Sequence, residues 1–301
     1  MSDESTLVER TDSGWMVNKQ YKVLPSTLAM LLETLTKQRA LYPVTKAAYD
    51  NAVKTMATHG VKVELYDRAG NKMKVFYVGG AAAGEKGTNM LMDGAKTPYV
   101  VEAPGFVGYL TPRYATRLRD WRDRTVFDVL PDEVKSVSVQ YSGKPAESFV
   151  LEHDANDSVV VKTNDKSLQR KPLNSRRAHL YLRFFAKVNC EGYLNGLPDN
   201  DSALRTAPPH STIQLTTRSG AVHTAEIYWM PINQRSKNVK AGEKVDNHDI
   251  PDEFDSDRLY AVVNNRKDTI MIQHLTFQGI FRKANEFYTP DGELPTQAGG
   301  K

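Results

Sequence analysis

"VKVELYDRAGNKMKVFYVGG" (residues 61–80) and "STIQLTTRSGAVHTAEIYWM" (residues 211–230) decide how this chain is read. In the first, Val61, Val63 and Leu65 alternate along one face, "DRAGN" turns, and Met73, Val75 and Tyr77 alternate on the way back, which is the pattern of a β-hairpin. The second repeats it without a gap: Gly70 and Gly220 are 150 positions apart (220 − 70). A repeat of this kind makes a geometric claim. Val63 should match Ile213, and Val75 should match Ala225, with the same faces turned inward.

The correspondence extends on both sides of the hairpin. "YVVEAPGFVGYL" matches "IMIQHLTFQGIF" around Gly108 and Gly279, now 171 apart (279 − 108), so the second copy holds 21 more residues (171 − 150) in between. They fall in the polar stretch "INQRSKNVKAGEKVDNHDIPDEFDSD", which replaces the short "GGAAAGEKGTN". Upstream, "PSTLAMLLETLTKQRA" places Leu28, Leu31, Leu32 and Leu35 at helical spacing as one buried stripe, and "LNSRRAHLYLRFFAKV" holds the same place in the second copy. A second helix, "VTKAAYDNAVKTMATHG", closes at Gly60 with Ala48, Ala52, Val53 and Met56 on one face. "TPRYATRLRDW" reads as helical, with Tyr114, Leu118 and Trp121 in line.

The expected fold is therefore α+β: two tandem repeat units, each a twisted antiparallel sheet with one or two helices packed on one face. The first unit covers 1–128. The second covers 129–288 and carries a longer acidic loop at 233–256, and a polar tail, 289–301, is expected to be disordered. "RLRDWRDRTVFD" (117–128) then reads as the joint between units, with Trp121 and Phe127 packed and its charges facing water. Unit two opens with three strands, the first carrying Val137, Val139 and Tyr141, whereas unit one begins at "TLVER" with only two. One opening strand is expected upstream of Met1, and without it the "TLVER" strand should expose an unpaired edge.

The bulk numbers narrow the function classes. Forty basic and thirty-six acidic residues leave a net charge of +4 with the signs interspersed, unlike the basic stripe that phosphate backbones select, so nucleic acid is not an expected partner. Cys190 is the single cysteine, so neither an intrachain disulfide nor a cysteine cage for zinc can form. No apolar run of about eighteen residues occurs and "MSDESTLVER" has no signal-peptide pattern, so the chain as given is expected to be soluble.

Motifs that could carry chemistry read as bland. "VGGAAAGEKGT" follows a strand and is glycine-rich, but Glu85 after Gly84 breaks the spacing of a phosphate-binding loop. "DNHDIPDEFDSD" gathers Asp246, Asp249, Asp255 and Asp257 near His248; hard cations bind such clusters, yet the central Gly and terminal Glu of a calcium loop are absent. Those four aspartates are the alternative metal ligands, with a solvated acidic loop as the main reading. His153 beside Asp154 and His248 beside Asp249 point to opposite faces if they lie on strands, so neither pair makes a base and its orienter without a turn. No catalytic residue and no cofactor is expected. Arg170, Lys171, Arg176 and Arg177 surround a helix start, where a positive potential could meet an acidic partner or an anion.

With both units in view, the chain resembles a bacterial family known as domain of unknown function 4340. The resemblance rests on "GWMVNKQYKVLPSTLAMLLETL", "VKVELYDRAGNKMKVFYVGG", "YVVEAPGFVGYLTPRY", "DWRDRTVFD", "STIQLTTRSG" and "FDSDRLYAVVNNRKDTIMIQ" in that order. It implies an extracytoplasmic protein of the cell envelope, held by one N-terminal membrane helix that this chain lacks, with some members encoded beside gliding-type ABC transporter components. The expected function is a non-enzymatic envelope binding or assembly module, accessory to a membrane transporter, with a membrane protein as partner. The alternative is a hydrolase or calcium-dependent glycan-binding protein that uses the acidic loop.

Overall fold

A computed structural model describes residues 5–154, 156–196, 204, 207–234, 236 and 250–288. The chain divides into two compact units, Met1–Asp123 and Arg124–Lys301. The tail at 289–301 and most of the acidic loop lie outside the described residues.

In chain order the first unit holds β1 (Val8–Thr11), β2 (Gly14–Val17), β3 (Tyr21–Lys22), α1 (Pro25–Lys37), β4 (Arg39–Pro43), α2 (Lys46–His59), β5 (Val61–Tyr66), β6 (Lys72–Ala81), β7 (Thr88–Met92), β8 (Tyr99–Glu102) and α3 (Leu118–Trp121). Two antiparallel sheets result, β1-β2-β3 and β4-β8-β7-β6-β5. Alternation along the strands sends successive side chains to opposite faces of the five-stranded sheet. Phe76, Val78, Met90 and Val101 pack with Leu31 and Leu35 of α1, while Tyr77, Leu91 and Val100 pack with Ala52, Val53 and Met56 of α2. Where one or two helices on a single face are expected, this unit carries α1 on one face and α2 on the other. Gly60 ends α2 where a Cβ would meet the Met56 carbonyl oxygen at 2.3 Å.

The second unit holds β9 (Thr125–Phe127), β10 (Val134–Tyr141), β11 (Phe149–His153), β12 (Val159–Thr163), α4 (Ser175–Leu182), β13 (Val188–Asn189), β14 (Gly192–Tyr193), β15 (Ser211–Thr217), β16 (Val222–Pro231), β17 (Phe254–Val263), β18 (Asp268–Gln273) and α5 (His274–Phe277). Eight strands form one sheet in the order β12-β11-β10-β15-β16-β17-β18-β14. Its inner face is one continuous core. Val137, Val139, Leu151, Ile213, Leu215, Ile227, Ile270 and Ile272 meet Ala178, Tyr181 and Leu182 of α4 together with Phe185, Phe277 and Phe287. The rings of Phe149, Tyr181, Phe185 and Phe287 touch edge to face, with centroids 4.8 to 5.5 Å apart.

The two hairpins agree at the turn and part company one residue later. Asp67 N–H donates to Asn71 O at 3.0 Å and Gly70 N–H to Asp67 O at 3.1 Å; Thr217 N–H donates to Ala221 O at 2.9 Å and Gly220 N–H to Thr217 O at 3.0 Å. Gly70 (φ 84°) and Gly220 (φ 90°) take the same left-handed conformation. The pairs nearest the turn, Tyr66 with Lys72 and Thr216 with Val222, share the 150-residue offset. Leu65, however, pairs with Lys74, so Met73 is an extra residue in a bulge. A one-residue shift exchanges the faces of the returning strand. Val63 and Ile213 do face their cores alike, but Phe76, not Val75, stands where Ala225 stands.

Two helical expectations are also corrected. The leucine stripe of α1 is only half-buried and Leu32 is 39% exposed; the buried residue of this helix is Thr34. "TPRYATRLRDW" is not one helix but a 3-10 turn at Thr111–Arg113 followed by the four-residue α3. Tyr114 goes to the core around Phe76, whereas Leu118 and Trp121 go to a separate cluster with Val17 and Val23, so the three cannot share one helical face. Within "RLRDWRDRTVFD", Trp121 belongs to the first unit's packing and Phe127 to the second's.

Candidate functional site

Among the described residues, those that the sequence singles out do not converge on one metal site. Of the acidic loop, Asp246, His248 and Asp249 lie outside the described residues. Asp255 is buried at the start of β17, where its carboxylate accepts from Ser236 Oγ and from the backbone N–H groups of Asp257 (2.8 Å) and Arg258 (3.0 Å). These bonds brace the strand entry. Asp257 beside it is half-buried, while Asp252 and Glu253 are exposed. Among the described residues, no three His, Cys, Asp or Glu groups come together as a metal site.

Among the four basic residues, Arg177 is tied into the fold. Its N–H donates to the N-cap side chain of Asn174 and its Nη1 donates to Glu286 O, both at 3.1 Å. Arg170, Lys171 and Arg176 are exposed. Asp154 does not orient His153 but closes the β11–β12 turn, accepting from Asn156 N–H (2.8 Å) and Ser158 N–H (2.9 Å). His153 Nδ1 instead lies 3.1 Å from Asp157 Oδ1. The Arg218 guanidinium, 2.5 Å from that oxygen, holds the Asp157 carboxyl below its usual range.

What the fold does assemble is an aromatic cleft of about 130 Å³ in the second unit, lined by Tyr141, His210, Trp229, Leu259, His274 and Phe281, with Lys144, Glu147, Gln278 and Lys283 around it. Elements far apart in sequence supply it: the end of β10, the approach to β15, the middle of β16 and β17, and the start of α5 with the chain after it. His210 is set by its backbone N–H bond to Ile227 O (2.7 Å), and its ring lies 4.1 Å from Trp229 and 5.6 Å from Tyr141. Trp229 in turn stacks on Phe254 at 5.8 Å, and His274 meets Phe281 at 5.7 Å. Tyr141 Oη donates to Arg282 O at 3.0 Å. On the rim, Glu147 has Lys283 at 3.7 Å and Lys144 at 3.9 Å.

Rings bordered by the exposed Lys144 and the half-buried Glu147 and Lys283 suit the capture of an apolar or aromatic side chain, with the rim fixing its polar neighbours. The histidines here are packed ring against ring. A larger, polar cleft of about 270 Å³ on the same unit is lined in part by Cys190, His223, Thr224 and Asn264. Neither cleft is visible in the sequence, because its members are ordinary strand and loop residues brought together only by sheet order.

Among the described residues, no helix is long and apolar enough to cross a membrane. No curated protein and no solved structure matches the chain. A family described as a domain of unknown function (DUF4340) matches residues 11–209, which is 199 of the 301 residues, and the chain belongs to that family.

Proposed function

We propose that this chain is a non-enzymatic binding or assembly module of the cell envelope, extracytoplasmic and accessory to a membrane transporter. The observation that carries the binding half of this reading is the cleft of Tyr141, His210, Trp229, His274 and Phe281, a ring-lined recess bordered by Lys144, Glu147 and Lys283. Such composition favours anchoring a partner's side chain over bond-breaking chemistry. The envelope location and the transporter come from the family resemblance. We also take the two units as copies of one ancestral unit, a reading supported by the five strands that follow one another in the same sheet order in both.

The test is to isolate the anchored, full-length protein from membranes and identify what comes with it. Transporter membrane subunits should co-purify, and Phe281→Ala together with Lys283→Glu should reduce their yield at least about tenfold, as loss of an interface anchor does. A protein that comes out of the membrane without transporter subunits, or with the same yield in both forms, refutes the proposal.

A further inference from the structure

The order β5-β6-β7-β8-β4 in the first unit matches β15-β16-β17-β18-β14 in the second, strand for strand. The second unit continues past β15 to β10, β11 and β12. There β10 is the joining strand, antiparallel to β11 on one side (Val139 opposite Phe149) and to β15 on the other (Val139 opposite Ile213). The first unit has a counterpart of the β11–β12 hairpin in β1–β2, but it stands in a separate sheet. Among the described residues, β1 pairs with β2 alone and β5 with β6 alone, so each has one open edge.

Burial marks the same place. Ile213 and Leu215 on β15 are 0% exposed, whereas their counterparts Val63 and Leu65 on β5 are only half-buried. Helix α4 buries Ala178, Tyr181 and Leu182, yet Leu28, Leu31 and Leu35 of α1 remain half-buried. Leu31 packs against both the Trp121 cluster and the Phe76 cluster, two cores that are one in the second unit. In that unit the inward Val137 and Val139 of β10 fill the corresponding span.

We propose that an extended strand docks between β1 and β5, antiparallel to both, and completes an eight-stranded sheet. Its inward side chains are apolar at alternate positions, like Val137, Val139 and Tyr141, and join the two cores beneath α1. The strand comes from the same polypeptide, ahead of β1, as β10 lies ahead of β11 in the second unit. In the second unit, seven residues (Ser142 to Ser148) connect β10 to β11. Backbone pairing on two sides gives affinity, and the alternating apolar face fixes the register. This inference stands on sheet order and burial, independently of the transporter reading.

Segment-resolved hydrogen exchange tests it on the 301-residue chain and on two grafts in which the strand and connection at 133–148 are copied ahead of Val8, in place of Met1–Leu7. One graft keeps the copied sequence, and the other has Ile at its three inward positions. Docking should slow the amides of Val8–Thr11 and Val61–Tyr66 at least about tenfold in at least one graft. Val137→Asp with Val139→Asp in the copied strand should abolish that protection. Unchanged exchange in both grafts overturns the proposal. So does protection already present in the 301-residue chain that grows with protein concentration, because a second copy then fills the slot.

Discussion

Replacing Trp121 by alanine is the most direct probe of the first unit's packing. Trp121 is 3% exposed and is surrounded by Val17, Val23, Leu118 and the half-buried Leu28 and Leu31. Burying an indole removes about 150–250 Å² from water, worth about 4–6 kcal/mol at about 25 cal/mol per Å² as an upper figure. Its N–H also donates to Ala115 O at 2.8 Å, a bond worth about 1 kcal/mol. Against this, the half-buried leucines of α1 have room to settle into the space, and a site that can collapse costs less than one that cannot. The balance is about 3–4 kcal/mol. Hydrogen exchange at Leu24, whose N–H donates to Trp121 O at 2.7 Å, and at Val23, bonded to Trp15 O at 3.0 Å, reads this directly. Trp121→Ala should speed both by at least about a hundredfold, since about 1.4 kcal/mol corresponds to tenfold. Trp121→Phe, which keeps a ring but loses the donor, should fall in between. An acceleration below tenfold for the alanine variant would refute the view that this residue organises its cluster.

Equivalent positions in the two hairpins should differ in sensitivity: Ile213→Ala should cost about 2–5 kcal/mol in urea unfolding and Val63→Ala about 1 kcal/mol, because only the former is fully enclosed; equal costs would contradict the open edge. Glu64, at the exposed hairpin, is held down to about 2 by bonds from Lys62, then Tyr66 and Lys72. A depressed carboxylate contributes above its unfolded value of about 4.3 and loses that contribution as pH falls toward 2. Carboxyl NMR should place its midpoint near 2 and Lys62→Ala should raise it, while a wild-type midpoint near 4 would dispose of the cluster. Gly87 sits at φ 108° with Val101 O 2.9 Å from where a Cβ would go, so Gly87→Ala should destabilise by about 1–3 kcal/mol; unchanged thermal unfolding would show the loop to be looser than described.

The sequence by itself determined the class and the local pieces. Alternation at Val61, Val63 and Leu65 and at Ile213 and Leu215, with a glycine placed for positive φ in each turn, specifies hairpins from residues close in the chain. The leucine spacing of α1 and the Gly60 stop of α2 specify helices in the same local way. What the tertiary structure decided depends on distant partners. The bulge at Met73 changes which face of β6 is inward, and no local pattern announces it, since Val75 and Phe76 are both apolar. The short strands β4 and β14 carry no alternation long enough to read and exist because β8 and β18 offer them an edge. Likewise Tyr141, His210, Trp229, His274 and Phe281 meet only because β10, β15, β16 and β17 lie side by side with α5 at their end. Periodicity records the solvent environment of each residue along its own element, and it holds no information about which elements become neighbours.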